Sequence, residues 1–216
     1  MSIKFNMEGG VFSSLNKLCD IIFLSALWFF FCIPIITIGP ATTALYYTTV
    51  KVIRKERGYV WHEFWHSFKS NFVSGAIYTV VLVAIIAAIY YGLAITAQSN
   101  AMMFQISHYV YIILVFIVTY CYVFLFPVLS RFSLSRVQTM KMALLLSLKH
   151  FPTTFGLIVI LIVGGVATTI IWPLLLITPV VVSLLSSFLI ERVFRRYQPK
   201  PEEGTDKEQL DWYQTL

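Results

Sequence analysis

The sequence predicts an all-α fold: a polytopic bundle of membrane-spanning helices with amphipathic helices on its cytoplasmic side. Of the 216 residues, 58% are hydrophobic and only 12% are charged, whereas soluble proteins carry roughly 25% charged residues. Residues 72–130 and 152–190 contain no Asp, Glu, Lys or Arg, and each stretch is long enough for two helices that cross a bilayer. Composition and pattern therefore exclude a soluble globular domain.

The first predicted span covers residues 19–38 and carries one charge, Asp20, at its start. It ends in the phrase PIITIGP, which predicts a break or tight turn because proline and glycine interrupt helices. The next segment, 41–53, is apolar but short and rich in Thr and Tyr. Counting it gives six spans, and omitting it gives five with an external N-terminus. We prefer six, because the uncharged turn then lies outside.

The remaining spans are predicted at 72–97, 106–129, 152–172 and 174–190, joined by short uncharged or basic connections. Residues 1–195 then form a single membrane-embedded helical domain. Residues 196–216 form a polar cytoplasmic tail, and the polar character of the chain begins already at Glu191. Chain termini of this composition are typically solvated.

The distribution of basic residues predicts the topology. Segments 51–57, 131–149 and 192–200 hold four Lys or Arg residues each, while the turns at 34–40, 98–105 and 172–173 hold none. Under the positive-inside rule, the basic loops and the C-terminus are cytoplasmic in a multi-pass protein of the cell membrane. The net charge of +6 is then loop charge, and no nucleic acid is expected as a partner.

Two segments, 59–71 and 133–150, have the pattern of amphipathic helices at the membrane surface. In the first, one face is aromatic, with its residues at helical spacing: Trp61, Phe64, Trp65, Phe68 and Phe72. In the second, an apolar stripe runs through Val137, Met140, Leu144, Leu145 and Leu148. We expect the aromatic residues to lie among lipid headgroups and the polar residues to face water. The residues predicted to contact a partner are His62, Glu63, His66, Lys69, Arg136 and Lys141.

The phrase His62-Glu63-Phe64-Trp65-His66 matches the HExxH motif of zinc metalloproteases. Two His residues at i and i+4 share a helix face and can bind Zn²⁺, and the intervening Glu can act as general base. A catalytic zinc also needs a third protein ligand, and Lys69 and Phe72 stand where the extended motif has Gly and His. The aromatic helix is therefore the preferred interpretation. His62 and His66 remain weak metal candidates, and no catalytic residue is predicted.

Coupled transport is not favoured, because such carriers place ionisable residues in the membrane interior. Away from their ends, the predicted spans hold no Asp, Glu, Lys or Arg, and His108 is the one histidine within them. An uncoupled small-solute channel or carrier remains as an alternative function. Nucleotide-binding glycine patterns and nucleophile elbows are missing from the sequence, so no cofactor is predicted.

Several phrases together resemble the YesL-like family of bacterial membrane proteins. They are FNMEGG at 5–10, PIITIGPATTALYY at 34–47, Phe64 with SFK at 67–69 and NF at 71–72, and a later block from Arg131-Phe132 through KMALLLS at 141–147 to Pro152. The family has no assigned function, and its genes often stand beside those of sugar-uptake ABC transporters or polysaccharide breakdown. The resemblance implies a membrane accessory role and supplies no catalytic residue.

The sequence therefore predicts a non-enzymatic accessory or regulatory partner of a carbohydrate-uptake system of the ABC type. Its expected partners are the lipid bilayer and the permease or ATPase subunits of such a transporter. Uncharged spans, basic cytoplasmic helices and the family's genomic company lead to this hypothesis. The channel and the metalloprotease are the alternatives.

Overall fold

The computed structural model describes residues 8–96, 102–132 and 134–197, and this part of the chain is helical, with no strands. The all-α prediction is thus confirmed. The α-helices are α1 (Glu8–Cys32), α2 (Ile38–Thr48), α3 (Val60–Ser70), α4 (Phe72–Thr96), α5 (Met102–Tyr122), α6 (Leu125–Arg131), α7 (Arg136–Lys149), α8 (Phe151–Ile170) and α9 (Thr178–Phe194).

Four helical segments are long and apolar enough to cross a membrane: Leu15–Cys32, Phe72–Thr96, Phe104–Arg131 and Phe151–Ile170. They correspond to four of the predicted spans. The segments predicted at 41–53 and 174–190 form shorter helices, α2 with a π-helical extension over Thr49–Arg54, and the 17-residue α9. The count of six spans remains a prediction.

Helices α1, α2 and α3 pack side by side, with neighbours in the chain running in opposite directions. Lys17 of α1 forms an ion pair with Glu56, beyond the end of α2. Farther along α1, the indole nitrogen of Trp28 donates to the Thr42 hydroxyl at 3.3 Å. The Phe31 ring then meets the aromatic face of α3, 4.8 Å from the ring centre of Phe68. The chain breaks between α1 and α2 in the PIITIGP phrase, as predicted. The break contains a short 3-10 helix, Ile35–Thr37, and Gly39 and Pro40 already belong to the first turn of α2.

The first turn of α2 lies directly against α4. The Gly39 amide donates to the Thr79 hydroxyl at 2.9 Å, and Thr79 donates to the Gly75 carbonyl at 2.8 Å. A Cβ atom on Gly39 would overlap with Thr79, and one on Gly75 would come within 2.7 Å of the Pro40 nitrogen. Glycine is needed at both positions because two backbones approach closely there.

Besides the packing of α1, α2 and α3, an apolar core joins α2 to the later helices. Its fully buried members come from several elements and include Val50, Phe124, Leu146, Leu157 and Phe194. The core ties the end of α5 and α6 to α7, the start of α8 and the end of α9. The Tyr120 hydroxyl donates to the Ser147 carbonyl at 2.6 Å, and the rings of Phe132 and Phe194 meet at 5.2 Å.

The basic segments lie together at this same end of the bundle, which we call the basic end. It comprises the region after α2 (51–57), the end of α6 with α7 (131–149) and the end of α9 (192–196). Arg54 of the first segment donates to the Ser187 carbonyl of α9 at 3.2 Å, near the third segment, and burial, Arg54 and Arg195 together lower the pKa of Lys55. The joined ends of α4 and α5 and of α8 and α9 lie at the opposite, uncharged end.

Candidate functional site: a buried ion pair at the basic end

A bidentate ion pair joins Arg131, the last residue of α6, to Glu191 of α9. The Arg131 Nε and Nη2 atoms donate to Glu191 Oε1 and Oε2 at 2.8 and 2.5 Å. Both side chains are buried, with exposed fractions of 0% and 1%. Such paired charge-assisted hydrogen bonds fix the relative position of two groups more strictly than a single contact does.

Tyr46 of α2 completes this cluster. Its hydroxyl donates to Glu191 Oε1 at 3.2 Å, so the carboxylate receives hydrogen bonds from two other helices. Tyr46 also belongs to the apolar core cluster that contains Phe124 and Phe194. Removing two charges from water costs about as much free energy as their attraction returns, so the net contribution of the pair to stability is small. Its structural effect is to fix α6 against α9, and the hydrogen bond from Tyr46 adds α2.

Arg54 holds the end of the π-helical turn against α9. Its Nη1 atom donates to the Ser187 carbonyl at 3.2 Å, and its guanidinium lies 4.5 Å from the ring centre of Phe188. Ser187 precedes Glu191 by one helical turn, so α9 receives an arginine from α6 and another from the region after α2. The basic end is thus held together by its own charged groups.

Glu63 of α3 is buried, and the prediction that it faces water is wrong. Its Oε2 atom pairs with Lys51 Nζ at 2.7 Å, and only 9% of its side chain is exposed. Gly58, at φ +83°, lies against the Glu63 side chain and allows the chain to turn between α2 and α3. The pair with Lys51 explains the burial, because a buried carboxylate requires a partner.

The other predicted contact residues of α3 are exposed. His62 and His66 lie on the outer face, and the Lys69 ammonium lies 4.9 Å from the Trp65 ring centre. In the described ranges 8–96, 102–132 and 134–197, no group of three or more His, Cys, Asp or Glu residues could hold a metal ion. The weak metal candidates His62 and His66 therefore gain no third ligand there.

The aromatic face of α3 belongs largely to the core. Phe64 and Phe68 are buried against Phe31, so the expectation that these rings lie among lipid headgroups is wrong for them. Trp61 at the start of the stripe and Phe72 at its end are exposed. The helix itself has the predicted position, and the differences are the burial of Glu63 and the partner of the aromatic face.

Helix α7 carries the other two predicted contact residues, Arg136 and Lys141, and both are exposed. A capping box of Ser135 and Gln138 begins the helix. Its buried face is formed by Thr139, Ala143, Leu146 and Ser147. Most of the predicted apolar stripe is exposed, at Val137, Met140, Leu145 and Leu148, and Val137 and Met140 also line a shallow groove beside α4. Nothing in the described chain covers this outer face.

Sequence reasoning missed Glu191 by taking it as the point where the polar character of the chain begins. The structure continues α9 to Phe194 and buries Glu191 inside the bundle. One signal was available: Glu191 is the first acidic residue after Glu63, and Arg131 is the first basic residue after Lys69. Most of the predicted tail, residues 198–216, lies outside the described residues.

The helical fold, with four segments long and apolar enough to cross a membrane, defines a helical membrane protein. Residues 21–93 match the model of a family described as "Protein of unknown function, DUF624", which is the YesL-like family, so the resemblance seen in the sequence is confirmed. The matched part contains the last 12 of the 25 residues of α1, all of α2 and α3, and α4 up to Leu93, including the contact between Gly39 and Gly75. No curated protein and no solved structure matches the chain.

Proposed function

We propose that this protein is a non-enzymatic accessory or regulatory subunit that binds a membrane transport complex through the outer face of α7. The observation that carries the proposal is the composition of that face. Four exposed apolar side chains, Val137, Met140, Leu145 and Leu148, stand beside Arg136 and Lys141. Interfaces between proteins commonly combine an apolar centre with a polar or charged rim.

The buried charges support a scaffolding role rather than chemistry. Arg131 is paired with Glu191, and Lys51 is paired with Glu63. A general acid or base must be able to reach a substrate, whereas these groups hold helices to one another. The choice of a carbohydrate-uptake system of the ABC type as partner rests on the genes that often lie next to those of the YesL-like family.

Site-specific photocrosslinking in native membranes tests the proposal. A photoreactive residue at Val137 or Leu148 should crosslink to a permease or ATPase subunit, identified by mass spectrometry. A matched probe at Val163, an exposed position on α8, should crosslink to lipid only. Crosslinks to lipid alone at all three positions would mean that α7 lies on the bilayer, and the proposed function would be lost.

Charge reversal provides an independent measurement. The double variant Arg136→Glu, Lys141→Glu should reduce co-purification of the partner from native membranes. Arg57→Glu is the control, because Arg57 is exposed and lies on a different segment of the basic end. Equal recovery of the partner with all three proteins would argue against docking through α7.

A further inference from the structure

A cavity of about 770 Å³ lies between the hairpin of α4 and α5 and the hairpin of α8 and α9, with α1 and α2 along its back. Its size is within the range of roughly 300–1,000 Å³ that is typical of small-molecule sites. The wall is built from side chains of all six helices, among them Trp28, Leu45, Ile86, Val118, Leu161 and Val182.

The surface that lines the cavity is almost entirely apolar. None of its residues is charged. The hydroxyl groups of Thr119 and Thr168 donate to carbonyls of their own helices at 2.9 and 2.6 Å, and that of Thr178 donates at 2.8 Å to the Leu174 carbonyl in the turn before α9. Ser183 adds one buried hydroxyl without a hydrogen-bond partner in the described chain. A sugar or an ion in the cavity would therefore lose its hydration for few matching partners, which is costly. The occupant is therefore apolar.

The surroundings restrict how an occupant enters. All four segments long enough to span a membrane, Leu15–Cys32, Phe72–Thr96, Phe104–Arg131 and Phe151–Ile170, contribute to the walls, and the cavity is partly open. Molecules reach such an opening from within the bilayer. A whole transmembrane helix, about 10 Å wide and about 30 Å long, fills more than about 2,000 Å³ and does not fit. A single hydrocarbon chain is narrow enough.

We infer that this cavity is a binding site for the hydrocarbon chain of a membrane lipid. The site is distinct from the α7 face, and neither depends on the other. Tyr46 links the cavity to the buried ion pair, because its ring lines the wall while its hydroxyl donates to Glu191. A chain in the cavity thus touches the residue that joins α2 to α9 and stabilises the folded state by mass action.

Gly165 allows the site to be filled without disturbing the fold. It lines the cavity, and a Cβ atom built on it meets nothing within 4 Å. In Gly165→Leu the added side chain would occupy the space of the lipid chain. Val163→Leu is the matched control, since Val163 is exposed on the same helix and is not part of the wall.

The test is lipid retention. Each protein is reconstituted in phosphatidylglycerol vesicles, re-extracted in detergent and purified, and the bound lipid is then quantified and identified by mass spectrometry. Wild type and Val163→Leu should retain lipid, and Gly165→Leu should lose it. A second pair gives the same comparison one turn away: Thr168→Leu lies in the wall, and Thr169→Leu lies outside it.

Two results would overturn the inference: no lipid retained by the wild type, or equal retention by the wall variants and their controls. Thermal unfolding of each purified variant confirms that it is folded before the retention is compared. Repeating the assay with polyprenyl phosphate vesicles shows whether the site takes an acyl or an isoprenoid chain. Preference for either supports the same hydrocarbon chemistry.

Discussion

At the residue scale, the pair of Arg131 and Glu191 is sensitive to the loss of one partner. Glu191→Leu leaves the buried guanidinium without its carboxylate, and Arg131→Met leaves the carboxylate without its guanidinium. Each single change should lower the free energy of unfolding by about 3–5 kcal/mol. Reversible unfolding in detergent micelles, followed by circular dichroism, measures the change.

The double variant Arg131→Met, Glu191→Leu should recover most of that loss, because two apolar side chains of similar volume leave no buried charge. Lys17→Ala is the control, since its pair with Glu56 is exposed and worth at most about 1 kcal/mol. Single variants no less stable than this control would show that the pair does not link the helices.

His150, between α7 and α8, should give stability a dependence on pH. Burial, Arg196 and Lys149 lower the pKa of its imidazole below the ordinary value of about 6.5. The folded state therefore binds fewer protons than the unfolded state between the two pKa values. Stability should rise with pH up to about 6.5 and fall as the pH drops through that window.

The variant His150→Gln isolates this contribution. The difference in unfolding free energy between wild type and variant should change over the window just below pH 6.5 and stay constant above pH 7.5 or so. Comparing the two proteins cancels the other histidines. A difference that does not change with pH would mean that the lowered pKa is absent.

Gly39 and Gly165 should respond in opposite ways to the same substitution. Gly39→Ala places a methyl group where α2 meets Thr79 and Gly75, so it should destabilise the protein by about 1–3 kcal/mol or more. Gly165→Ala meets open space and gains helix propensity, so it should be neutral or stabilising by up to about 1 kcal/mol. Thermal unfolding of both variants decides whether the family phrase around Gly39 serves packing.

At the scale of elements, α3 shows what a helical period can predict. The spacing of its aromatic residues predicts the helix, and the structure begins it at Val60. The period cannot say whether the apolar face meets lipid or another helix. That depends on Phe31 of α1, which is distant in sequence and adjacent only in the fold. The same ambiguity affects α7, whose predicted stripe faces outward while small and polar residues pack inward.

Two side-chain substitutions on α3 compare the contribution of its buried side to stability with that of its exposed side. Phe64→Ala removes a fully buried ring and should lower stability by about 3–5 kcal/mol. Trp61→Ala removes a half-exposed ring on the same stripe and should change stability much less. Unfolding in micelles compares the two directly. Equal losses of stability would contradict the burial of Phe64 and would favour a location of the whole aromatic stripe at the membrane interface.

At the scale of the whole molecule, long uncharged stretches predicted the class of fold well, because a bilayer rewards uninterrupted apolar helices. Charges at the ends of those stretches were harder to interpret. An acidic residue after an uncharged run resembles the end of a span, and Glu191 was therefore taken as the start of the polar part of the chain. Its partner Arg131 lies 60 residues away, and no local pattern connects the two. The ion pair depends on tertiary structure alone.

The sidedness of the bundle gives the last prediction. The positive-inside rule places the basic end in the cytoplasm and the uncharged end outside. Cys19, Cys32 and Cys121 are first replaced by Ser or Ala, and single cysteines are then introduced at Arg57 and at Ile171, both exposed and at opposite ends. In intact cells a membrane-impermeant maleimide should label Ile171→Cys and spare Arg57→Cys, and permeabilised cells should show labelling of both. A cysteine at Ile36, which is exposed in the turn before α2, then tests whether that turn is external, as six spans require. Labelling of Arg57→Cys in intact cells would show that the orientation is the opposite of the predicted one. The α7 face would then lie outside the cell, where an ATPase subunit cannot reach it.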